Sequence, residues 1–274
     1  MTRKILLDDS LDKKLLRDGF VVVTFLSEDE TQSLKDFFYE NHPSGIAGFY
    51  ASAHSSDILF RNQMNDKIKE VFSRAIKKYF HKCTPLGGSF VVKSSTQTER
   101  LNPHQDWNIV DEENFRSFNI WVPLVDLNRS NGVIRIMPGS HTWLKNYRGP
   151  NIPDAFVNFH EQIWQLMTPL FMKAGEALIY DHRTFHASDP NTTDALRIAA
   201  VFGIIPEEAK MYHYLGNNGH IEMYESSLDF FLKGNIQKGE EILTKNTIIP
   251  PQKPVLAWNF NWYLMKNRLI KFFV

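Results

Sequence analysis

Cysteine is almost missing from this chain: Cys83 is the only one. That excludes an internal disulfide and any cysteine-built zinc cluster, and it fits a reducing compartment. A surplus of either charge is missing too, since 31 Lys and Arg balance 31 Asp and Glu with no long basic run. The electrostatic footprint of a nucleic-acid binder is therefore absent. Long apolar runs are lacking as well. The longest, Ile198 to Ile205, is broken by Gly203 and is too short for a bilayer. The opening "MTRKILLDDSLDKK" turns charged after three apolar residues, too few for a signal-peptide core. Together these read as a soluble, cytoplasmic protein without a nucleic-acid partner or a membrane span.

What is present is ample core-forming material, 43% hydrophobic over 274 residues. No repeat or low-complexity linker divides it, so one domain is expected. Residues 1 to about 83 read as a helical flank around one early strand, "FVVVTFL". "SEDETQSLKDFFYEN" opens with a capping box, Ser27 and Glu30. A second helix is predicted through "NDKIKEVFSRAIKKYF", where Ile68, Val71, Phe72, Ala75, Ile76 and Tyr79 recur at helical spacing.

From about 84 to 206 the texture changes to short strands: "SFVVKSS", "SFNIWVPLV", "VIRIMP", "EALIYD" and "LRIAAVFGII". Asn, Gly, Pro and Asp clusters separate them, which suggests a β-sandwich or jelly roll. Residues 207 to 274 read as a C-terminal lid or tail, with a helix-like "IEMYESSLDFFLKG" and an aromatic, basic end, "NWYLMKNRLIKFFV". That end is expected to dock on the body or on a second subunit.

"NPHQDWN" carries the first chemical signal. On a strand, positions i and i+2 share a face, with roots about 7 Å apart, so His104 and Asp106 can grip one ion. A catalytic metal needs a third protein ligand that still leaves positions open. "YDHRTFHASDP" offers His186 and its rival His182, and "PGSHTW" offers His141. Arg197 follows His186 by eleven residues, at the start of an apolar strand where a buried guanidinium needs an anionic partner. Its planar fork suits a carboxylate held end-on, and Ser188 could add a hydroxyl.

These pieces resemble the phytanoyl-CoA dioxygenase family of iron(II)- and 2-oxoglutarate-dependent oxygenases. The resemblance runs in family order through "RDGFVVVTFLSEDE", "NPHQDW", "SNGVIRIMPGSH", "AGEALIYDHRTFHAS" and "LRIAAVF", about residues 17 to 205. It implies a mainly β fold with flanking helices around a double-stranded β-helix (jelly roll, cupin-like). It also implies His104, Asp106 and His186 as iron ligands, and Arg197 with Ser188 as the seat of the 2-oxoglutarate distal carboxylate. Trp121 stands where the family often places an aromatic beside the cosubstrate. His141 falls in a scaffold turn, and His182 reads as a residue orienting a ligand. The family usually writes Gly-Asp where this chain has Gly175-Glu176, which leaves the catalytic set untouched.

The implied activity is hydroxylation of a C–H bond of a small metabolite with O2, releasing succinate and CO2. A halogenase of this fold would normally lack the carboxylate ligand, and Asp106 argues against that. Desaturation and non-catalytic metal binding remain the other readings. On the substrate side stand Trp107, otherwise a packing residue, and Arg135. If Ile134 and Ile136 pack between sheet and helices, Arg135 points into the barrel mouth as an anchor for an anionic group; in the opposite register it is a solvated surface charge.

Overall fold

The computed structural model describes residues 3–42, 45–95, 99–143, 145–233 and 244–249. Its helices are α1 (Asp9–Asp18), α2 (Glu28–Asn41), α3 (Ile58–Tyr79), α4 (His160–Leu166) and α5 (Leu228–Lys233). Its strands run β1 (Phe20–Thr24), β2 (Phe49–Ala51), β3 (Cys83–Lys93), β4 (Leu101–His104), β5 (Phe118–Pro123), β6 (Ile134–Ile136) and β7 (Thr168–Leu170). They continue with β8 (Glu176–Asp181), β9 (His186–Ser188), β10 (Arg197–Pro206), β11 (Tyr212–Asn217), β12 (His220–Glu225) and β13 (Thr244–Ile249).

Each flanking helix starts where its sequence says it must. At α2 the Ser27 hydroxyl accepts from the Glu30 N–H at 3.2 Å while the Glu30 carboxylate accepts from the Ser27 N–H at 2.8 Å. Both bonds satisfy donors that a helix start otherwise leaves free. Arg74 on α3 also grips Glu30 and ties the two helices together. Asp57 caps α3 by accepting from the N–H groups of Leu59 and Phe60, so this helix begins well before the periodic stretch. Helix α1 ends at Gly19, whose φ of 81° lets its N–H reach the Leu15 carbonyl. A side chain there would strike His141 and Thr184.

Strand alternation then builds a two-sheet body. The larger sheet has the order β1-β8-β5-β10-β3-β2 and the smaller one β4-β9-β6-β7, with antiparallel pairing throughout. Along β5, Phe118, Ile120 and Val122 face outward and pack with Phe202, Ile204, Ile68 and Phe72 under the helices. Trp121 faces inward, with Tyr180, Leu178 and Ala199, against Ile134 and Ile136 of the smaller sheet. Burying each large outer side chain contributes about 1.5–3 kcal/mol, so the helices hold the larger sheet flat against them and leave its inner face for a site. This is the mainly β, jelly-roll arrangement that the sequence led us to expect.

Two details differ from expectation. The N-terminal region contributes two strands to the larger sheet, β1 and β2, because "FYA" pairs with β3 from within what reads as a loop. "IEMYE" is not helical: it forms β12 between β11 and β13, its turn-side partner supplied by "YHYLGN", and only the short α5 follows. The tail "NWYLMKNRLIKFFV" and the end of "FFLKG" lie outside the described residues. Among the described residues, no helix is long and apolar enough to cross a membrane.

Candidate active site

His104 closes β4 and His186 opens β9, and the two are direct cross-strand partners. Directly opposed residues project to one face, and the ring centroids stand 4.2 Å apart. In each ring Nδ1 sits against a backbone carbonyl two residues upstream, Asn102 at 2.8 Å for His104 and Thr184 at 3.1 Å for His186. A carbonyl only accepts, so Nδ1 carries the hydrogen and Nε2 keeps the lone pair in each ring; at His186 that nitrogen meets the Tyr180 hydroxyl at 3.4 Å, a long contact that a metal would replace.

Asp106 reaches the same place by another route than strand alternation. Its residue lies beyond the end of β4, in a loop, so the same-strand geometry expected for His104 and Asp106 does not hold. The loop is pinned instead. The Asp106 N–H donates to the His182 carbonyl at 2.9 Å, and the Asp106 carbonyl accepts from Arg148 Nε at 2.6 Å. Arg148 in turn is paired with Glu112, both almost fully buried. At the carboxylate, Oδ2 accepts from Asn119 Nδ2 at 2.8 Å and Oδ1 stands 3.7 Å from His186 Nε2.

The ligand atoms of His104, Asp106 and His186 all lie within 4.8 Å of one another. Three such atoms lie within about 2.8 Å of a common point, the separation divided by √3, against metal bonds of about 2.0–2.2 Å. A slight contraction completes the set. Protonation suits it as well. Burial, with His186 beside it, pushes His104 down to about 4. Burial alone would raise Asp106, but His186, His182, His104 and Asn119 hold it at about 2. At neutral pH the set therefore offers a carboxylate and a neutral imidazole. Two imidazoles and one carboxylate are the donor set of a non-haem iron(II) centre with open positions, so the residues present fit that metal.

Arg197 opens β10 on the inner face. It is 2% exposed, and among the described residues no hydrogen bond or ion pair reaches it. Burial pushes its guanidinium down to about 10, which leaves it charged at neutral pH. Trp121 covers it at 5.3 Å from ring centroid to guanidinium carbon. Its cross-strand neighbour Lys93 is fully buried and donates to the Ser188 and Asp189 carbonyls. Burial, then the charge of Arg197, pushes Lys93 down to about 7.

Arg197, Ser188 and Trp121 line one cavity of about 160 Å³ together with the whole triad. A second, wider cavity of about 400 Å³ meets it at His104, Asp106, Asn119 and Val201, and Trp107 and His182 lie on its wall. The structure thus gathers seven of the eight residues that the sequence singled out as site residues.

The eighth, Arg135, is not among them. Ile134 and Ile136 face the inner cluster, so Arg135 points outward, where it pairs with Asp189 at 2.7 Å and lies over Trp164. Its expected role as an anchor at the barrel mouth is corrected: the register is the opposite one, because two isoleucines bury more apolar surface inside than the single arginine stem could. His141 packs locally, as its turn implied, with Nε2 donating to the Leu16 carbonyl at 3.0 Å. Sequence reasoning missed Asn119, Lys93 and Arg148. Asn119 was within reach, since it lies two residues before Trp121 on one strand and shares its face.

Comparison with known proteins gives concordant results. A family model described as Phytanoyl-CoA dioxygenase (PhyH) matches residues 15–199. Dioxygenase trt7 of Aspergillus terreus (strain NIH 2624 / FGSC A1156) is 29% identical over 215 residues, covering 70% of this chain and 71% of its own length. Dioxygenase FUM3 of Gibberella moniliformis (strain M3125 / FGSC 7600) is 29% identical over 174 residues, covering 57% of this chain and 53% of its own. Among solved structures, the non-heme alpha ketoglutarate dependent carbocyclase SnoK from nogalamycin biosynthesis superposes with a TM-score of 0.55 at 19% identity. That match covers 75% of this chain and 86% of SnoK. EctD from S. alaskensis, solved with 2-oxoglutarate and 5-hydroxyectoine, gives a TM-score of 0.52 at 17% identity over 75% of this chain and 78% of its own. Both structural likenesses concern the fold.

Proposed function

This chain belongs to the phytanoyl-CoA dioxygenase family, and from that premise we propose that it is an iron(II)- and 2-oxoglutarate-dependent dioxygenase that hydroxylates a C–H bond of a small molecule. His104, Asp106 and His186 hold the iron, and Arg197 holds the far carboxylate of 2-oxoglutarate. One observation carries the reading: an unpartnered, buried guanidinium shares a cavity with two imidazoles and a carboxylate whose donor atoms converge. A structural ion pair would have brought its own partner. The loaded centre supplies oxygen activation, coupling decarboxylation of 2-oxoglutarate to succinate and CO2 with oxidation of the substrate.

The protein's residues bind, orient and shield. The Asn102 and Thr184 carbonyls fix the tautomer of His104 and His186, so both rings present the Nε2 lone pair to the metal. Asn119 takes one oxygen of Asp106 and leaves the other for the metal. Arg197 offers its fork to a carboxylate, with Trp121 excluding water from one side and Ser188 on the opposite sheet. Because strands β1 and β2 complete the larger sheet, we read the described chain as one oxygenase domain rather than a barrel with a separate helical module.

The test is product analysis with iron(II), 2-oxoglutarate, O2 and a panel of small molecules. The expected result is succinate released one-to-one with a product one oxygen atom heavier than its substrate. Succinate matched by a product two hydrogens lighter would replace hydroxylation with desaturation or ring closure, and no succinate under any condition would sink the oxygenase reading.

A further inference from the structure

The wider cavity, of about 400 Å³, is the more open of the two among the described residues and reaches His104 and Asp106 of the triad. Leu86, Trp107, Ile109 and Val201 make its wall mainly apolar, and no lysine or arginine among the described residues lines it. Its histidines are His104 of the triad, the exposed His54 at the rim, and His182, whose Nδ1 faces the Trp107 carbonyl at 3.3 Å and so leaves Nε2 an acceptor. The cations nearby are committed elsewhere. Arg148 is paired with Glu112, Arg116 and Arg183 with Asp181, and Arg135 with Asp189 on the outer face. Two of the polar groups on the wall are also engaged: Ser89 Oγ accepts from the Ala53 N–H, and Gln105 Nε2 donates to the Arg183 carbonyl.

The charge balance of the loaded centre points the same way. On the reading above, the two charges of iron(II) and the one of Arg197 are cancelled by Asp106 and the two carboxylates of 2-oxoglutarate. Lys93, beside Arg197, is held near 7 and donates to the Ser188 and Asp189 carbonyls, and it does not line the wider cavity. The wider cavity is thus given no cation of its own to attract an anion, and an unpaired carboxylate brought against an apolar wall loses its hydration without compensation. We propose that this cavity takes a neutral, largely apolar substrate, and that an anionic group on the substrate is a handicap rather than a handle. This rests on the oxygenase reading for which cavity is the substrate's, since the inner one is then filled by 2-oxoglutarate.

Matched probes test it: cyclododecanol and cyclododecanecarboxylate, titrated calorimetrically into the iron(II)- and 2-oxoglutarate-loaded protein under nitrogen. Bound 2-oxoglutarate occupies Arg197, so the carboxylate probe cannot borrow it. The alcohol is expected to bind, and the carboxylate to bind at least about tenfold more weakly. The variant Leu86→Lys installs the missing cation on the wall away from the triad, and there the carboxylate is expected to gain about tenfold or more. A carboxylate that binds wild type as tightly as the alcohol, or neither probe binding to the loaded protein, would overturn the proposal. So would a folded Leu86→Lys protein with no gain for the carboxylate. Iron(II) and 2-oxoglutarate binding are measured in the same samples, so failure of the oxygenase reading shows itself separately as failure to load.

Discussion

A guanidinium that is 2% exposed and has neither hydrogen bond nor ion pair among the described residues costs the free protein stability, because burial strips its water and returns only the face of Trp121. On the proposed reading, the 2-oxoglutarate carboxylate is the anion that completes Arg197. Two consequences separate this from a structural role. Arg197→Met is expected to leave the melting temperature of the metal-free protein unchanged or higher, since a buried charge is replaced by an apolar stem. It is also expected to weaken 2-oxoglutarate on the order of a hundredfold, the loss of a bidentate charge-assisted contact, with iron affinity nearly unchanged. Thermal unfolding with and without 2-oxoglutarate checks both, because a ligand that binds only the folded state raises the transition. A lower melting temperature with 2-oxoglutarate binding intact would make Arg197 a scaffold residue. This residue was legible in the sequence for the same physical reason: an arginine opening the apolar run "RIAAVFGII" demands a partner. Lys93 was not legible, because "VVKSS" reads equally well as the exposed end of a strand, and only the cross-strand register with Arg197 shows it buried.

At the scale of elements, the strands themselves place the two histidines, but a loop places the carboxylate. That loop is stiffened by one buried ion pair. Arg148 binds Glu112 through both terminal nitrogens and the Asp106 carbonyl through Nε, and its N–H reaches the Asn108 side chain. Removing one partner strands the other charge, so Glu112→Gln is expected to cost about 3–5 kcal/mol of stability and to loosen the metal along with it. Adding Arg148→Met is expected to recover part of the stability but not the metal affinity, because the Asp106 carbonyl has still lost its donor. Unfolding curves and metal titrations of the two variants decide this. A double variant that regains both would show that Arg148 contributes charge balance alone. Alternation made β5, β8 and β10 readable, since each carries a long apolar face. It could not assign β6, where three residues leave the register open and Arg135 fell on the wrong side. Nor could it assign "IEMYE", whose Glu222 and Glu225 stand three apart, as on one face of a helix, until its partner strands are known.

For the molecule as a whole, the helices cover one face of the larger sheet so that its other face, opposed to the smaller sheet, can hold two cavities that meet at the triad. The inner cavity carries the buried cation; the outer is apolar and open. On the proposed reading, that division puts cosubstrate and substrate on different sides of one metal. The family order of motifs made the jelly roll and the triad legible in advance, whereas the shape and charge of the outer cavity depend on residues as far apart as Leu86, Trp107 and Gly203 and exist only in the folded chain. Everything in this account depends on His104, Asp106 and His186 holding one iron(II). The most direct measurement is an anaerobic iron(II) titration of wild type and Asp106→Ala, followed in the same samples by succinate release from 2-oxoglutarate on admitting air. The account predicts one iron per wild-type chain and succinate release, with Asp106→Ala binding at least about tenfold more weakly and releasing none. An Asp106→Ala protein that binds iron(II) as tightly as wild type and releases succinate at the same rate would contradict it.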